Sequence, residues 1–209
     1  MLLKLEGRSA SGSYWDRVVA AQFAALPAGS PVAFAGRSAH SVAVAAFARA
    51  TGRGAFMLAA PDDEARLVAL LGSYGVEVVA SLPAGAALLR RDDEVSHRRA
   101  FAGWLSELPA SLRSSGAQLV LPAFAGLVEA AAALAPALSV VWVADDGERR
   151  RTLEADAACR RTQVAHREGI LLSPLGAELV DAGVAAAVGG AASVIVLVPE
   201  GGQRHLGWW

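Results

Sequence analysis

The feature that most constrains this chain is an alternation of short, almost wholly apolar runs with longer alanine-rich runs. The short runs have the length of strands but lack the in-out alternation of a sheet with one face in water. Strands that are apolar on both sides and separated by helices are typical of a parallel sheet covered by helices on both faces. The predicted fold class is therefore α/β, with open, mainly parallel sheets flanked by helices.

The positions of the runs predict six strands and seven helices. The predicted strands cover residues 31–35, 55–60, 76–81, 118–121, 140–144 and 194–198. The predicted helices cover residues 15–25, 40–50, 62–74, 96–107, 126–135, 153–167 and 176–188. A further strand is expected around Lys4, ahead of a Ser/Gly-rich turn.

Composition excludes several classes of function. The 19 basic and 20 acidic residues give a net charge of -1, and the arginine pairs are interleaved with acids, so we expect no nucleic-acid binding. The single cysteine, Cys159, and four histidines without ligand spacing predict no disulfide framework and no metal site. Two apolar stretches, residues 125–144 and 180–199, contain acids and glycine or proline, so each is interpreted as a helix followed by a strand, not a membrane span. We expect a cytoplasmic location.

The most specific motif lies near the N-terminus, where Lys4 to Arg17 read K-L-E-G-R-S-A-S-G-S-Y-W-D-R. This string resembles the lysine segment of the fold-type II pyridoxal-phosphate (PLP) family of cysteine synthase, threonine synthase and tryptophan synthase β. That segment reads K-x-E, two or three variable residues, then N-P-S/T-G-S-F-K-D-R. The resemblance places the cofactor lysine at position 15, where this chain has Trp15. Indole has no nucleophilic amine, so Trp15 cannot bind an aldehyde covalently, whether it repurposes the pocket or fills freed space.

The other cofactor positions implied by the resemblance also differ from the family. Ala39 stands where an asparagine contacts the cofactor ring, and Leu175 where a hydroxyl partners the pyridine nitrogen, with Ser173 as a fallback. The family's G-T-G-G-T phosphate loop corresponds to P-A-F-A-G, of which only Gly126 remains. The resemblance covers nearly the whole chain, yet it implies no catalytic residue of the family and no bound cofactor, although the family uses PLP.

The family's fold implies two α/β lobes in this chain. The polar stretch at residues 90–99 predicts a boundary near residue 105. The larger lobe would comprise residues 1–30 and 106–209, and the smaller lobe residues 31–105. Because family members are commonly homodimers, we expect a homodimer or a complex with another protein.

Three functions follow as hypotheses. The leading one is a non-catalytic pseudoenzyme with a partner, regulatory or scaffold role. The second is a module that binds a small anion or an amino acid in the remnant cleft. The third is an enzyme of PLP-dependent lyase or synthase ancestry with altered chemistry, including one that uses Lys4, the only lysine. The residues expected to line the cleft are Ser11, Ser13, Arg37, Ser38, His40 and Ser173.

Overall fold

Two parallel sheets of four strands each form the framework of the protein in a computed structural model. The structure describes residues 1–6, 11–36, 38–60, 65–114, 116–136, 138–144, 163–165, 167, 170 and 172–200. The first sheet has the order β1-β8-β6-β7, and the second has the order β4-β3-β2-β5. The predicted α/β class with parallel sheets is confirmed.

The described strands are short and follow the apolar runs of the sequence. They are β1 (Leu2–Leu5), β2 (Val32–Ala35), β3 (Ala55–Leu58), β4 (Glu77–Val79), β5 (Ala87–Leu89), β6 (Gln118–Pro122), β7 (Ser139–Val143) and β8 (Val194–Val198). All their pairings are parallel. Every residue of β8 is buried, as expected of a central strand covered on both faces.

The described helices fall between these strands. They are α1 (Trp15–Ala24), α2 (Ala39–Thr51), α3 (Ala65–Ser73), α4 (Glu94–Ser106), α5 (Ala110–Ser114), α6 (Ala125–Leu134) and α7 (Pro174–Val188). Most of the predicted helix at 153–167 lies outside the described residues. Within it, residues 163–165 are described and are helical. None of the described helices is both long and apolar enough to span a membrane.

Local chemistry explains where helix α7 begins and where helix α2 ends. Ser173 precedes α7 and its side chain accepts a hydrogen bond of 3.0 Å from the backbone nitrogen of Gly176, while Pro174 fits the first turn, where no N–H partner is needed. Helix α2 ends at Gly52, whose φ of 66° is left-handed and suits glycine.

The two sheets correspond to different parts of the sequence. Strands β2 to β5 come from residues 32–89, and the other sheet joins β1 to strands from residues 118–198. Helix α1 packs against α2 and α4, and α4 packs against α6. The lobe boundary near residue 105 stays a prediction.

Candidate functional site

Position 15 is the first residue of α1, and the preceding turn fixes it firmly. Gly12 has a φ of 77°, and Ser13 forms a bridge with Glu200, just beyond β8. The backbone nitrogen of Tyr14 donates to the carbonyl of Pro199 at 2.5 Å. The start of α1 is therefore tied to the carboxyl end of β8, the edge at which open parallel sheets usually bind ligands.

The indole of Trp15 lies inside the protein, with only 3% of its surface exposed. Its ring centroid is 4.9 Å from that of Phe124, which precedes α6. The imidazoles of His40 in α2 and His97 in α4 meet it edge-on, at 5.4 Å and 5.3 Å. Side chains from four regions of the chain therefore converge on the position that the resemblance gives to the cofactor lysine.

Arg91 covers the outer side of this group. Its guanidinium carbon lies 5.2 Å from the centroid of Trp15 and 5.6 Å from that of Phe124, within the range of cation–π attraction. We call Trp15, His40, Arg91, His97 and Phe124 the Trp15 cluster.

His40 is held as a neutral imidazole. The amide nitrogen of Gln22 donates to the carbonyl of Arg90 at 2.7 Å, which leaves the amide oxygen of Gln22 to accept from His40 Nε2 at 3.1 Å. Burial, reinforced by the charge of Arg91 and by His97, lowers the pKa of His40 to about 4. At neutral pH His40 therefore donates from Nε2 and carries no charge.

His97 occupies the space above the start of α6. Its Nε2 donates to the carbonyl of Arg91 at 2.9 Å, and burial lowers its pKa. A Cβ atom added to Gly126 would lie only 2.5 Å from His97 Cδ2. Gly126, which the resemblance aligns with the family's phosphate loop, is thus packed against an imidazole ring.

Most of the predicted cleft residues are engaged within the protein. The hydroxyls of Ser11 and Ser13 are 3.2 Å apart, and the Ser11 backbone nitrogen donates to Asp16 Oδ2 at 2.7 Å. Ser173 caps α7, and Ser38, the residue before α2, is half-buried. Arg37 lies outside the described residues, so the proposed ligand cleft stays a prediction.

The sequence resemblance assigns three other residues to cofactor positions of the family. Ala39 begins α2, Leu175 lies in the first turn of α7, and Gly126 lies in the first turn of α6. Leu175 is buried and offers no hydrogen-bonding group.

Lys4 is bound in an ion network away from position 15. Its Nζ donates to Glu107 Oε2 at 2.5 Å and lies 3.7 Å from Glu6 Oε1. Arg17 joins the same two carboxylates, each at 2.6 Å. Hydrogen bonds from Arg17, and secondarily from Lys4, lower the pKa of Glu107 to about 2 against the opposing effect of burial.

The residues at these positions do not fit PLP. Position 15 has no amine and Leu175 has no hydroxyl. The ring of His97 lies against Gly126 and occupies the space that a ligand of that glycine would need. Within the described residues, no group of three or more His, Cys, Asp or Glu side chains is arranged to hold a metal ion.

Sequence reasoning did not select three residues that shape this site, namely Gln22, Arg91 and His97. They come from the last turn of α1, the turn after β5 and the first turn of α4. No local pattern marks them, because their approach to Trp15 depends on how α1, α4 and α6 pack together.

Comparison with known proteins gives a consistent answer at the level of fold. No protein-family model matches the chain, and no curated protein matches it. Solved structures, in contrast, do match the chain. An O-ureido-L-serine synthase superposes with a TM-score of 0.72 at 16% identity, covering 98% of this chain and 85% of that one.

Two further structures agree with the first. A threonine deaminase from T.th. matches with a TM-score of 0.72 at 19% identity, over 96% of this chain and 87% of that chain. A hydrogen sulfide-producing enzyme of Fusobacterium nucleatum matches with a TM-score of 0.70 at 12% identity, over 98% and 89%. Identities this low establish the fold and not the activity. The chain therefore has the fold of the fold-type II PLP-dependent enzymes.

Proposed function

We propose that this protein is a non-catalytic member of the PLP-enzyme fold, which fills its cofactor cleft with its own side chains and acts by binding another protein. The observation that carries this proposal is the burial of Trp15 at the lysine position, where it packs 4.9 Å from Phe124. An indole in that place removes the amine and occupies the space next to it.

The engagement of Lys4 supports the same function. Lys4 is the only lysine of the chain, and its Nζ lies against Glu107 and Glu6 rather than in the Trp15 cluster. Releasing it for covalent chemistry would leave Glu6, which is 3% exposed, with one cation fewer. The ion network therefore disfavours a relocated Schiff-base lysine.

The start of α6 supports it further. A helix N-terminus binds phosphate through free backbone N–H groups that the anion can approach closely. Here Pro122 has no N–H, the ring of Phe124 packs at a tilt against Trp15, and the ring of His97 lies against Gly126. An anion would have to displace two aromatic rings to reach this terminus.

The two alternative functions find less support. A binding module for an anion or an amino acid needs free polar groups, and the described serines Ser11, Ser13 and Ser173 hydrogen-bond within the protein. An enzyme with altered chemistry needs a reactive group in the cleft. The buried histidines of the Trp15 cluster instead hydrogen-bond to Gln22 and to the Arg91 carbonyl.

A titration with PLP tests the proposal. PLP is added to the wild-type protein and to a Lys4→Met variant, with visible absorbance and thermal melting as readouts. An active enzyme of the same fold serves as the positive control. We expect no saturable absorbance band and no rise in melting temperature. A slow reaction with PLP that is equal in the wild type and in Lys4→Met would come from the N-terminal amine and not from Lys4. A saturable band that is lost in Lys4→Met would contradict the proposal.

A further inference from the structure

The two faces of the sheet β4-β3-β2-β5 are packed differently. The strand register places Val32, Phe34, Ala55, Met57 and Leu89 on one face. All five belong to the main hydrophobic core, which also contains residues of α2 such as Val44. The central strands of this inner face are therefore covered by helices, while Val78, in register with Met57 on the edge strand β4, is 47% exposed.

The opposite face carries apolar residues that lie outside that core. We call it the outer face, and its described apolar residues are Ala33, Ala35, Phe56, Leu58, Val79 and Leu88. None of them belongs to the main core cluster. Leu88 is 45% exposed, and Phe56 and Leu58 are half-buried, whereas Ala33, in register between Phe56 and Leu88, is fully buried.

Chain topology explains why none of the described helices that connect these strands covers the outer face. The connections β2-α2-β3 and β3-α3-β4 step across the sheet in one direction, so right-handed crossovers place α2 and α3 on the same face. The step from β4 to β5 runs in the reverse direction, and the same rule places that connection over the outer face. It consists of residues 80–86, which contain no helix, and its Leu82 is 46% exposed.

We infer that the outer face, together with Leu82, is the docking surface for one amphipathic helix of a partner protein. Parallel sheets are stable when both faces are covered, and this apolar face is covered by none of the described helices that connect its strands. Its four strands, about 4.8 Å apart and about four residues long, give a surface roughly 15 Å by 13 Å. A helix about 10–12 Å wide covers such a surface with roughly three turns.

The size of the face favours a helix over a second copy of this chain. A stable interface between two proteins buries about 800 Å² on each, several times the extent of the outer face. The helix would present Leu, Ile or Val along one stripe. It would place a basic residue near Glu77, which is in register with Phe56 at the rim. This inference rests on the proposed partner role but not on the closed cofactor cleft.

Fluorescence anisotropy with a labelled model peptide tests the surface. The probe is a peptide of about 16 leucines and lysines, with leucine at helical spacing. We expect saturable one-to-one binding that weakens tenfold or more in Leu88→Glu and in Leu82→Glu. The matched control is Val188→Glu, since Val188 is 84% exposed at the end of α7, away from the outer face, and should bind like the wild type. Circular dichroism checks that each variant folds. If Leu88→Glu in strand β5 does not fold, Leu82→Glu still tests the surface, because Leu82 lies in a connection and not in a strand.

Three results would overturn the inference. The first is an absence of saturable binding, and the second is an equal loss in Val188→Glu. The third is a wild-type dimer in sedimentation velocity that Leu88→Glu dissociates, which would make a second copy the occupant. A peptide of the same composition with alternating leucine and lysine should bind at least tenfold more weakly than the helical one. None of these results changes the PLP titration, so failure of the docking surface and failure of the closed cleft are distinguishable.

Discussion

Trp15 serves as a packing residue at the position that the sequence resemblance assigns to the cofactor lysine. Its indole meets Phe124, His40 and His97 at ring distances of 4.9 to 5.4 Å, and Arg91 covers the remaining side. Aromatic contacts of this kind add to the free energy gained from burial alone. Trp15 therefore supplies stability to the start of α1.

Truncation of Trp15 should be costly. We expect Trp15→Ala to lower the free energy of unfolding by about 3–5 kcal/mol, because it leaves a cavity between helices that cannot fully collapse. Urea denaturation measures the loss. Trp142→Ala is the matched control, since Trp142 is 36% exposed on β7, and should cost about 1 kcal/mol or less. Equal losses in the two variants would show that the Trp15 cluster has no special role in stability.

The neutral state of His40 predicts a dependence of stability on pH. The pKa of His40 in the folded protein is about 4, below the unfolded value of 6.5, so its contribution is present above pH 6.5 and lost as the pH falls toward 4. The loss should approach about 3 kcal/mol. Glu107, with a pKa lowered to about 2, contributes in a separate window below about pH 4.5.

Urea midpoints measured between about pH 7 and 4.5 test this dependence. We expect the wild-type midpoint to fall with pH, and we expect His40→Gln to reduce the slope while His97 still titrates. A wild-type midpoint that is constant over this range, or an unchanged slope in His40→Gln, would mean that His40 is not held neutral.

The site could be predicted from the sequence only where a motif fixed the spacing. Trp15, Ala39 and Gly126 were assigned to cofactor positions from their set distances to matching residues, and that assignment stays a prediction. Arg91 and His97 could not be selected in this way, because they reach Trp15 through tertiary packing of α4 against α1 and α6. Spacing along the chain carries no information on that approach.

At the level of elements, the contact between α4 and α6 is the tightest point near the site. The ring of His97 lies so close to Gly126 that even a methyl group has no room. Small residues at such a crossing allow two helices to approach closely, and here the approach also closes the start of α6.

A pair of glycine substitutions tests this contact. We expect Gly126→Ala to lower the free energy of unfolding by about 1–3 kcal/mol, since its Cβ would lie 2.5 Å from His97 Cδ2. The control is Gly72→Ala in α3, where a Cβ meets nothing within 4 Å and the gain in helix propensity should raise stability by up to about 1 kcal/mol. Thermal and urea unfolding measure both. A stabilising Gly126→Ala would mean that His97 does not occupy this space.

The strands were easier to predict than their connections. Buried parallel strands such as β6 and β8 consist of continuous apolar residues, which is a strong signal. The three-residue strand β5 lies in an alanine-rich stretch with no strand character of its own, and its position depends on pairing with β2. Helix α5, of five residues, is likewise too short to produce a helical period.

At the scale of the whole molecule, the fold is similar to that of the PLP enzymes, whereas the residues that the resemblance assigns to cofactor positions are different. The chain superposes on those enzymes over 96% to 98% of its length, yet the residues that the sequence resemblance assigns to the lysine, phosphate and pyridine positions are Trp15, a packed Gly126 and Leu175. Under the proposed function, packing and topology persist without the residues that hold the cofactor. Such a molecule retains surfaces on which another protein can act, and the outer face is the one that we propose.

One measurement tests the central claim most directly, namely that the cleft is closed to PLP. The purified protein is incubated with PLP, reduced with borohydride, and analysed by intact mass followed by peptide mapping. We predict no stoichiometric adduct on Lys4, because Lys4 is bound to Glu107 and Glu6 and Trp15 fills the lysine position. A stoichiometric reduced adduct mapped to Lys4 would contradict the account and would identify a PLP enzyme with a relocated lysine.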